Sequence, residues 1–133
     1  MQALEEVLRE MDFAFFGKGR HKTTVAELLD NREAVLVDLR SREEVDLAAF
    51  PLKGLVSCLH IPVNEVPDRL GEIPKDKPVG LFCSAGVRTC IVYAYLRAKG
   101  YANVRIVEGG YANLVEELKP GKVSRRLASR SAR

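Results

Sequence analysis

Apolar residues along this chain change their spacing several times. Near the N-terminus Leu4, Val7, Leu8 and Met11 recur at helical intervals, which predicts a short amphipathic helix. Further along, short apolar runs predict strands at 34–37, 54–61, 78–82 and 103–107. A run that is apolar throughout, as at 34–37, is typical of a parallel strand covered on both faces.

Helices are predicted between these strands. Thr24 with Glu27 and Ser41 with Glu44 have the spacing of capping boxes, so a helix should begin at each. Two longer helices are expected at 87–99, closed by Gly100, and at 110–118. Strands that alternate with helices predict an α/β domain with a mainly parallel sheet. In such a sheet the functional crevice lies beyond the carboxyl ends of the strands.

The most informative segment follows the strand at 78–82. Cys83 stands at the end of that strand, and a loop of small residues then opens the helix at 87–99. Backbone N–H groups at a helix start lack intrahelical partners and favour a negative charge in front of them. Arg88 adds a cation in the first turn. The segment therefore predicts a cysteine with a stabilised thiolate, rather than an inert buried thiol.

Other polar residues are candidates for the same site. Asp38 and Arg40 follow the strand at 34–37, so they should lie at the same edge of the sheet as Cys83. They could bind substrate, but we expect an ion pair that braces the loop. Cys58 and Cys90 are interpreted as packed thiols. The cysteines and histidines lack paired metal-ligand spacing, so no metal is expected.

Four ordered segments resemble the rhodanese family. Val35-Leu36-Val37-Asp38-Leu39-Arg40 is similar to its strand that ends in Asp-x-Arg, and His60-Ile61-Pro62 is similar to the end of its second segment. Cys83-Ser84-Ala85-Gly86-Val87-Arg88-Thr89 matches its C-x-x-G-x-R-[ST] loop. Residues 96–104 and 108–111 resemble its closing segments. The resemblance spans roughly 23–118, and four motifs in order are strong evidence.

This resemblance implies a fold and a reaction. The fold would be a rhodanese-like three-layer α/β fold, with a mainly parallel central sheet flanked by helices. The protein would be an enzyme of the thiosulfate sulfurtransferase type. It would transfer a sulfane sulfur that Cys83 carries as a persulfide. Asp38 and Arg40 would support the site, and no cofactor would be needed. The substrate would be bound by the residues that follow Cys83 in the loop: Ser84, Ala85, Gly86, Val87, Arg88 and Thr89.

The expected partners are small molecules. The donor would be thiosulfate or a persulfide, and the acceptor a thiol or cyanide. A persulfide carrier or sensing module with a protein partner is a second hypothesis. A cysteine-based phosphatase or arsenate reductase is a third, but only four residues separate Cys83 from Arg88. The phosphatases that share this fold have one residue more, so the shorter loop should fit sulfur and crowd a phosphoryl group.

The chain is divided into an N-terminal helical extension and link at 1–22, a rhodanese-like domain at 23–119, and a basic tail at 120–133 that we expect to be disordered and dispensable. Phe13, Phe15 and Phe16 in the extension must pack on the domain or on a second chain. A homodimer through this segment is therefore left open.

Charge and composition limit the partners and the cellular location that we expect for the protein. The net charge is +3, but five basic and no acidic residues follow Pro120, so the rest of the chain carries a net charge of −2. We interpret the basic tail as a solvated terminus and expect no nucleic-acid partner. No apolar run approaches the roughly 18 residues of a membrane span, so no membrane association is expected. The acidic N-terminus and an odd number of cysteines predict a cytoplasmic location.

Overall fold

A computed structural model describes residues 2–50 and 52–131. Five strands form one sheet in which every pairing is parallel, in the order β1-β5-β4-β2-β3. The strands are β1 (Lys22–Thr23), β2 (Val35–Asp38), β3 (Ser57–His60), β4 (Val79–Phe82) and β5 (Val104–Val107). The predicted α/β class with a parallel sheet is confirmed.

Helices flank this sheet on both faces. They are α1 (Gln2–Glu10), α2 (Phe13–Gly17), α3 (Val25–Asp30), α4 (Arg42–Leu47), α5 (Val87–Ala98), α6 (Gly110–Glu117) and α7 (Pro120–Ser131), with short 3-10 turns at Val63–Glu65 and Leu70–Glu72.

The side chains of each strand point alternately to the two faces of the sheet, and this produces two hydrophobic cores. Val37 and Leu81 belong to one cluster, whereas Leu36 and Phe82 belong to the other, because successive side chains point to opposite faces. Side chains of α2 and α5 fill the first cluster, and those of α3 and α6 fill the second. The molecule therefore has the expected three layers.

Predicted and observed elements agree closely over the central domain. The Ser41–Glu44 capping box is present, with both reciprocal hydrogen bonds. At the other predicted box, the Thr24 hydroxyl accepts from the Glu27 N–H at 3.0 Å. The two-residue strand β1 was not predicted, because it is too short to show a period.

The C-terminal segment differs from its prediction. It is the helix α7, so the expectation of a disordered tail is wrong over residues 120–131; residues 132–133 lie outside the described residues. Val123 packs against the second core cluster. Arg126 pairs with Asp30 at 3.0 Å and with Glu117 at 2.9 Å. The basic residues therefore anchor a helix, and are not simply solvated charges.

The Arg130 guanidinium forms a further anchor for α7. It donates to the carbonyl oxygen of Gly54 at 2.7 Å, and also to those of Leu29 and Leu55. Leu29 lies in the last turn of α3, which precedes β2, and Gly54 and Leu55 lie just before β3. The helix thus closes the end of the sheet opposite the carboxyl ends of the strands.

The N-terminal segment packs partly on the domain. Helix α1 lies against α5, and Glu10 pairs with Arg97 at 2.6 Å. Val7 and Phe15 are buried, which confirms packing for one of the three phenylalanines. Phe13 is 94% exposed and Phe16 48% exposed, so the covering of these two remains a prediction. Throughout residues 2–50 and 52–131, each helix is too short or too polar to cross a membrane.

Candidate active site

Cys83 lies directly after β4, the middle strand of the sheet, and its side chain is buried. The backbone N–H of Gly86 donates to its Sγ at 3.0 Å. Gly86 has φ = +93°, a left-handed conformation that glycine adopts without a steric penalty. This turn brings the start of α5 back over the sulfur.

The environment of Cys83 favours its thiolate. Burial raises the pKa of the thiol, but backbone N–H groups of Thr89, Gly86 and Ala85 lower it by more, so the pKa falls below its usual 9.0. The Thr89 hydroxyl lies 4.0 Å from Sγ and donates to the Gly86 carbonyl oxygen at 2.8 Å. The loop can therefore stabilise a sulfur anion with its own backbone.

Arg88 is held by a carboxylate on another helix. Its guanidinium donates to the two carboxylate oxygens of Glu44 at 2.5 and 2.9 Å, and to the Ser84 hydroxyl at 2.9 Å. The sequence pattern predicts Arg88 as a fixed cation of the site. The structure adds that its charge is already paired.

Glu44 is a site residue that the sequence indicated only as a helix cap. Its carboxylate accepts from the Ser41 N–H at 3.0 Å and from the Ser41 hydroxyl at 2.9 Å. The hydrogen bonds from Arg88, followed by those from Ser41, lower the pKa of Glu44 to about 2. Nothing in the local pattern indicates its pairing with Arg88, which lies 44 positions away in the chain.

Asp38 and Arg40 form a buried ion pair beside the loop. The guanidinium contacts both carboxylate oxygens at 2.8 to 3.1 Å and also donates to the carbonyl of Ala48 at 2.6 Å. Arg40 is 1% exposed and lies 5.2 to 5.6 Å from the ring centres of Phe50, Phe82 and Tyr111. Of the two roles that the sequence left open, this burial supports the brace.

A contact from α6 links this brace to the loop. The Tyr111 hydroxyl lies 3.2 Å from Arg40, and the preceding Gly110 has φ = +53°. A Cβ at Gly110 would lie 2.4 Å from the Ser84 carbonyl oxygen, so only glycine permits this approach. Gly110 therefore sets the position of the loop, a role that the sequence motif did not indicate.

The remaining candidates lie at the surface or nearby. Ala85 and Val87 are exposed at the outer side of the loop.

The interpretation of Cys58 and Cys90 as packed thiols is wrong, because both residues are exposed. Although Cys58 as a whole is exposed on the edge strand β3, desolvation of its thiol and the nearby Asp38 raise its pKa to about 11. His60 has a structural contact, since its Nε2 lies 2.7 Å from the Arg40 carbonyl oxygen.

A parallel sheet that presents a cysteine loop between its middle strand and a helix defines a class of α/β proteins, and comparison with known proteins identifies the family. The family model described as "Rhodanese-like domain" matches residues 21–117. The chain belongs to the rhodanese-like family.

Relatives in this family carry sulfurtransferase names. A sulfurtransferase of Allochromatium vinosum is 35% identical over 83 residues, which is 62% of this chain and 73% of that protein. A putative sulfurtransferase of Bacillus subtilis is 32% identical over 90 residues, covering 68% of this chain and 82% of that protein. A tRNA sulfurtransferase of Aeromonas hydrophila is 35% identical over 83 residues, but the chain spans only 17% of its length.

Solved structures show the same fold. A rhodanese-like domain protein from Staphylococcus aureus has a TM-score of 0.59 at 29% identity, over 70% of this chain and 89% of that one. A human single-domain sulfurtransferase has a TM-score of 0.58 at 26% identity, over 74% of this chain and 97% of that one.

Proposed function

We propose that this protein is a sulfurtransferase of the thiosulfate sulfurtransferase type, in which Cys83 carries a sulfane sulfur as a persulfide. The observation that carries this proposal is the loop whose backbone N–H groups converge on one buried sulfur, 3.0 Å from the Gly86 nitrogen. The sulfurtransferase names of the Allochromatium and Bacillus relatives support sulfur transfer as the general reaction.

The reaction has two half-reactions. In the first, the Cys83 thiolate attacks the outer sulfur of a donor. A new S–S bond forms to Cys83, the S–S bond of the donor breaks, and the leaving group departs with the electron pair, as sulfite when the donor is thiosulfate. In the second, a thiolate or cyanide attacks the outer sulfur of the persulfide and releases the Cys83 thiolate. Covalent catalysis of this kind has ping-pong kinetics.

The loop stabilises both sulfur anions. The N–H groups that lower the pKa of Cys83 would likewise stabilise the negative charge of a persulfide on the same sulfur. Arg88 fixes the loop through Ser84, while the Asp38–Arg40 pair supports it from below through Tyr111 and Gly110. In this proposal Cys83 reacts and the other residues hold its surroundings in place.

The test is intact-mass analysis after treatment with a sulfur donor. The protein should gain the mass of one sulfur atom and lose it when a thiol is added. Cys83→Ser should abolish this gain, whereas Cys58→Ser and Cys90→Ser, which replace the two exposed cysteines, should retain it. A sulfur gain that persists in the Cys83→Ser protein would overturn the assignment.

A persulfide carrier remains the second candidate. The fold is also found in a NAD-dependent persulfide reductase from A. fulgidus, in which this chain covers only 17% of the longer protein, at 29% identity. An enzyme would turn over donor and acceptor repeatedly, whereas a carrier would load once and stall until its partner protein is added. Steady-state assays with a thiol or cyanide distinguish the two.

The cellular setting is proposed from the cysteines. Cys58, Cys83 and Cys90 are all free thiols, and free thiols are typical of a reducing compartment. We propose the cytoplasm as the place where the reaction occurs.

A further inference from the structure

Building on the proposed sulfur transfer at Cys83, we infer that the preferred donor is a persulfide on an uncharged peptidyl cysteine, and that Glu44 sets this preference by pairing with Arg88. Thiosulfate, a dianion, would then load Cys83 more slowly than such a persulfide. The inference depends on the charges around the loop and on the apolar side chains at its rim.

Glu44 removes the free positive charge that a dianion would need. Both carboxylate oxygens contact the Arg88 guanidinium, and Ser41 holds the same carboxylate through two hydrogen bonds. The low pKa of Glu44, about 2, keeps it ionised at neutral pH. Because the carboxylate belongs to a helix cap, a donor cannot displace it without also breaking that cap.

The other cations around the loop are paired as well. Arg40 is bonded to Asp38, and Arg42 at the start of α4 is bonded to Glu65. Helix α4 also carries the exposed carboxylates Glu43 and Asp46, so it has three acidic residues and one basic residue. The described elements next to the loop therefore supply no excess positive charge.

The charge of the reacting groups decides between donors. Attack of the Cys83 thiolate on thiosulfate brings one negative charge against two, and all three remain as the S–S bond breaks and sulfite leaves. A persulfide with no charged group besides the reacting sulfur, called neutral below, brings at most one negative charge: its outer sulfur bonds to Cys83, and the RS⁻ group leaves with the electron pair and takes up a proton. Like charges at close range repel more strongly where water is partly excluded. The repulsion is therefore smaller in the second case.

Exposed apolar side chains lie on the loop and on the two helices that Glu44 and Arg88 join. We define them as the rim: Leu47, Ala85, Val87 and Ile91. Val87 is 67% exposed, Ile91 lies one helical turn further along α5 at 61%, and Leu47 lies one turn after Glu44 at 89%. Exposed apolar side chains grouped around a reactive group favour contact with a peptide over contact with a small anion. The occupant that fits both the charge and the rim is a cysteine persulfide within an uncharged, apolar segment.

The first experiment compares single-turnover loading of Cys83 from thiosulfate and from the persulfide of N-acetylcysteine methyl ester, which has no charged group besides the reacting sulfur. The wild-type protein should load from the persulfide at least about tenfold faster. Glu44→Gln should raise loading from thiosulfate about tenfold relative to loading from the persulfide, since it frees Arg88. Glu43→Gln removes the same charge from the same turn of α4 and is the matched control; it should leave the donor ratio unchanged.

Two measurements on the wild-type protein do not depend on the variants. Added salt should speed loading from thiosulfate more than loading from the neutral persulfide, because salt screens the larger repulsion. A persulfidated peptide with apolar flanks should load Cys83 faster than one with acidic flanks.

The outcomes separate the inference from the proposed function. Equal loading from thiosulfate and the neutral persulfide, a donor ratio that Glu44→Gln does not change, or equal rates for the two peptides would overturn the inference and leave sulfur transfer intact. Failure of every donor to load Cys83 would overturn the proposed function itself.

Discussion

At the scale of single residues, the thiolate of Cys83 is stabilised by backbone N–H groups more than by a neighbouring cation. Arg88 is engaged by Glu44 and Ser84, whereas Thr89, Gly86 and Ala85 direct their N–H groups at the thiol. Side-chain substitutions that keep the loop geometry should therefore alter the thiolate only slightly. Those that move the loop should affect it most.

The pKa of Cys83 can be measured directly. In a Cys58→Ser/Cys90→Ser background the remaining thiolate is followed by its absorbance at 240 nm. The midpoint should lie below the usual 9.0, since the N–H donors outweigh burial. A lowered pKa means that thiolate, and with it sulfur loading, persists as the pH falls below 9.0 and is lost only below the lowered midpoint. Thr89→Val removes the hydroxyl that lies 4.0 Å from Sγ and lowers the pKa of Cys83, so it should raise the midpoint. A midpoint at or above 9.0 in the parent protein would contradict this account.

Gly110 should be essential to the position of the loop. Gly110→Ala places a Cβ 2.4 Å from the Ser84 carbonyl oxygen and imposes a strained backbone at φ = +53°. We expect a loss of about 1–3 kcal/mol in the free energy of unfolding and a sulfur-loading rate at least about tenfold lower. Gly71→Ala is the control, because nothing lies within 4 Å of its Cβ position. Unchanged loading in the Gly110→Ala protein would show that the loop does not depend on this contact.

At the scale of elements, ion pairs and backbone contacts connect helices that are distant in the chain. Glu44 ties α4 to the start of α5 beside the loop. At the other end of the sheet, Arg126 and Arg130 tie α7 to α3 and to the segment before β3. These contacts explain why two helices with little apolar surface, α4 and α7, keep fixed positions.

Arg130 should stabilise the protein more than its neighbour Arg125. Arg130→Ala leaves the carbonyls of Leu29, Gly54 and Leu55 without their donor, so the free energy of unfolding in urea should fall by about 1–3 kcal/mol. Arg125 is exposed on the same helix, and Arg125→Ala should change stability by less than about 0.5 kcal/mol. If the two variants were equally stable, the C-terminal helix would not be anchored as described.

At the scale of the whole molecule, the N-terminal segment completes one of the two cores. Phe15 joins the first cluster, and Val7 is buried where α1 lies against α5. Phe13, at 94% exposed, presents a large apolar side chain outward from the same segment. The segment therefore stabilises the domain, and its exposed Phe13 is where the homodimer left open by the sequence would form.

Deleting residues 1–16 should destabilise the protein by about 3 kcal/mol or more, because a buried aromatic and its neighbours are lost from the first core. Thermal unfolding measures this loss. Phe13→Ser is the control for stability, since the side chain is exposed. Sedimentation tests the homodimer that the sequence leaves open: if the wild-type protein is a dimer, Phe13→Ser should shift it to monomer. A truncated protein with an unchanged melting temperature would exclude the packing role, and a monomeric wild type would exclude the dimer.

The sequence predicted those features that depend on local pattern. The strands around Leu36 and Leu81, the helix after Gly86 and the position of Cys83 beyond a strand all follow from period and turn chemistry. The Arg88–Glu44 pair could not be predicted, because both residues already had local interpretations, as a loop cation and as a helix cap.

Features that depend on tertiary packing were missed or wrong. Helix α7 is held by hydrogen bonds from an arginine to backbone carbonyls. The composition of the segment shows its arginines only as positive charges, so these contacts could not be predicted. Cys58 was expected to be packed because it lies in an apolar strand, but β3 is an edge strand and leaves the residue exposed. Strand order and edge position become known only when the sheet is assembled.

The parallel sheet gives the molecule two chemically distinct poles. Cys83 lies at the carboxyl pole, while α7 closes the amino pole, at least about 13 Å away along a four-residue strand. A fluorophore or a solid support attached at Ser129, an exposed residue of α7, would leave the reactive loop facing outward. The domain could thus be arrayed on a sensor surface with its thiols oriented uniformly toward the solution.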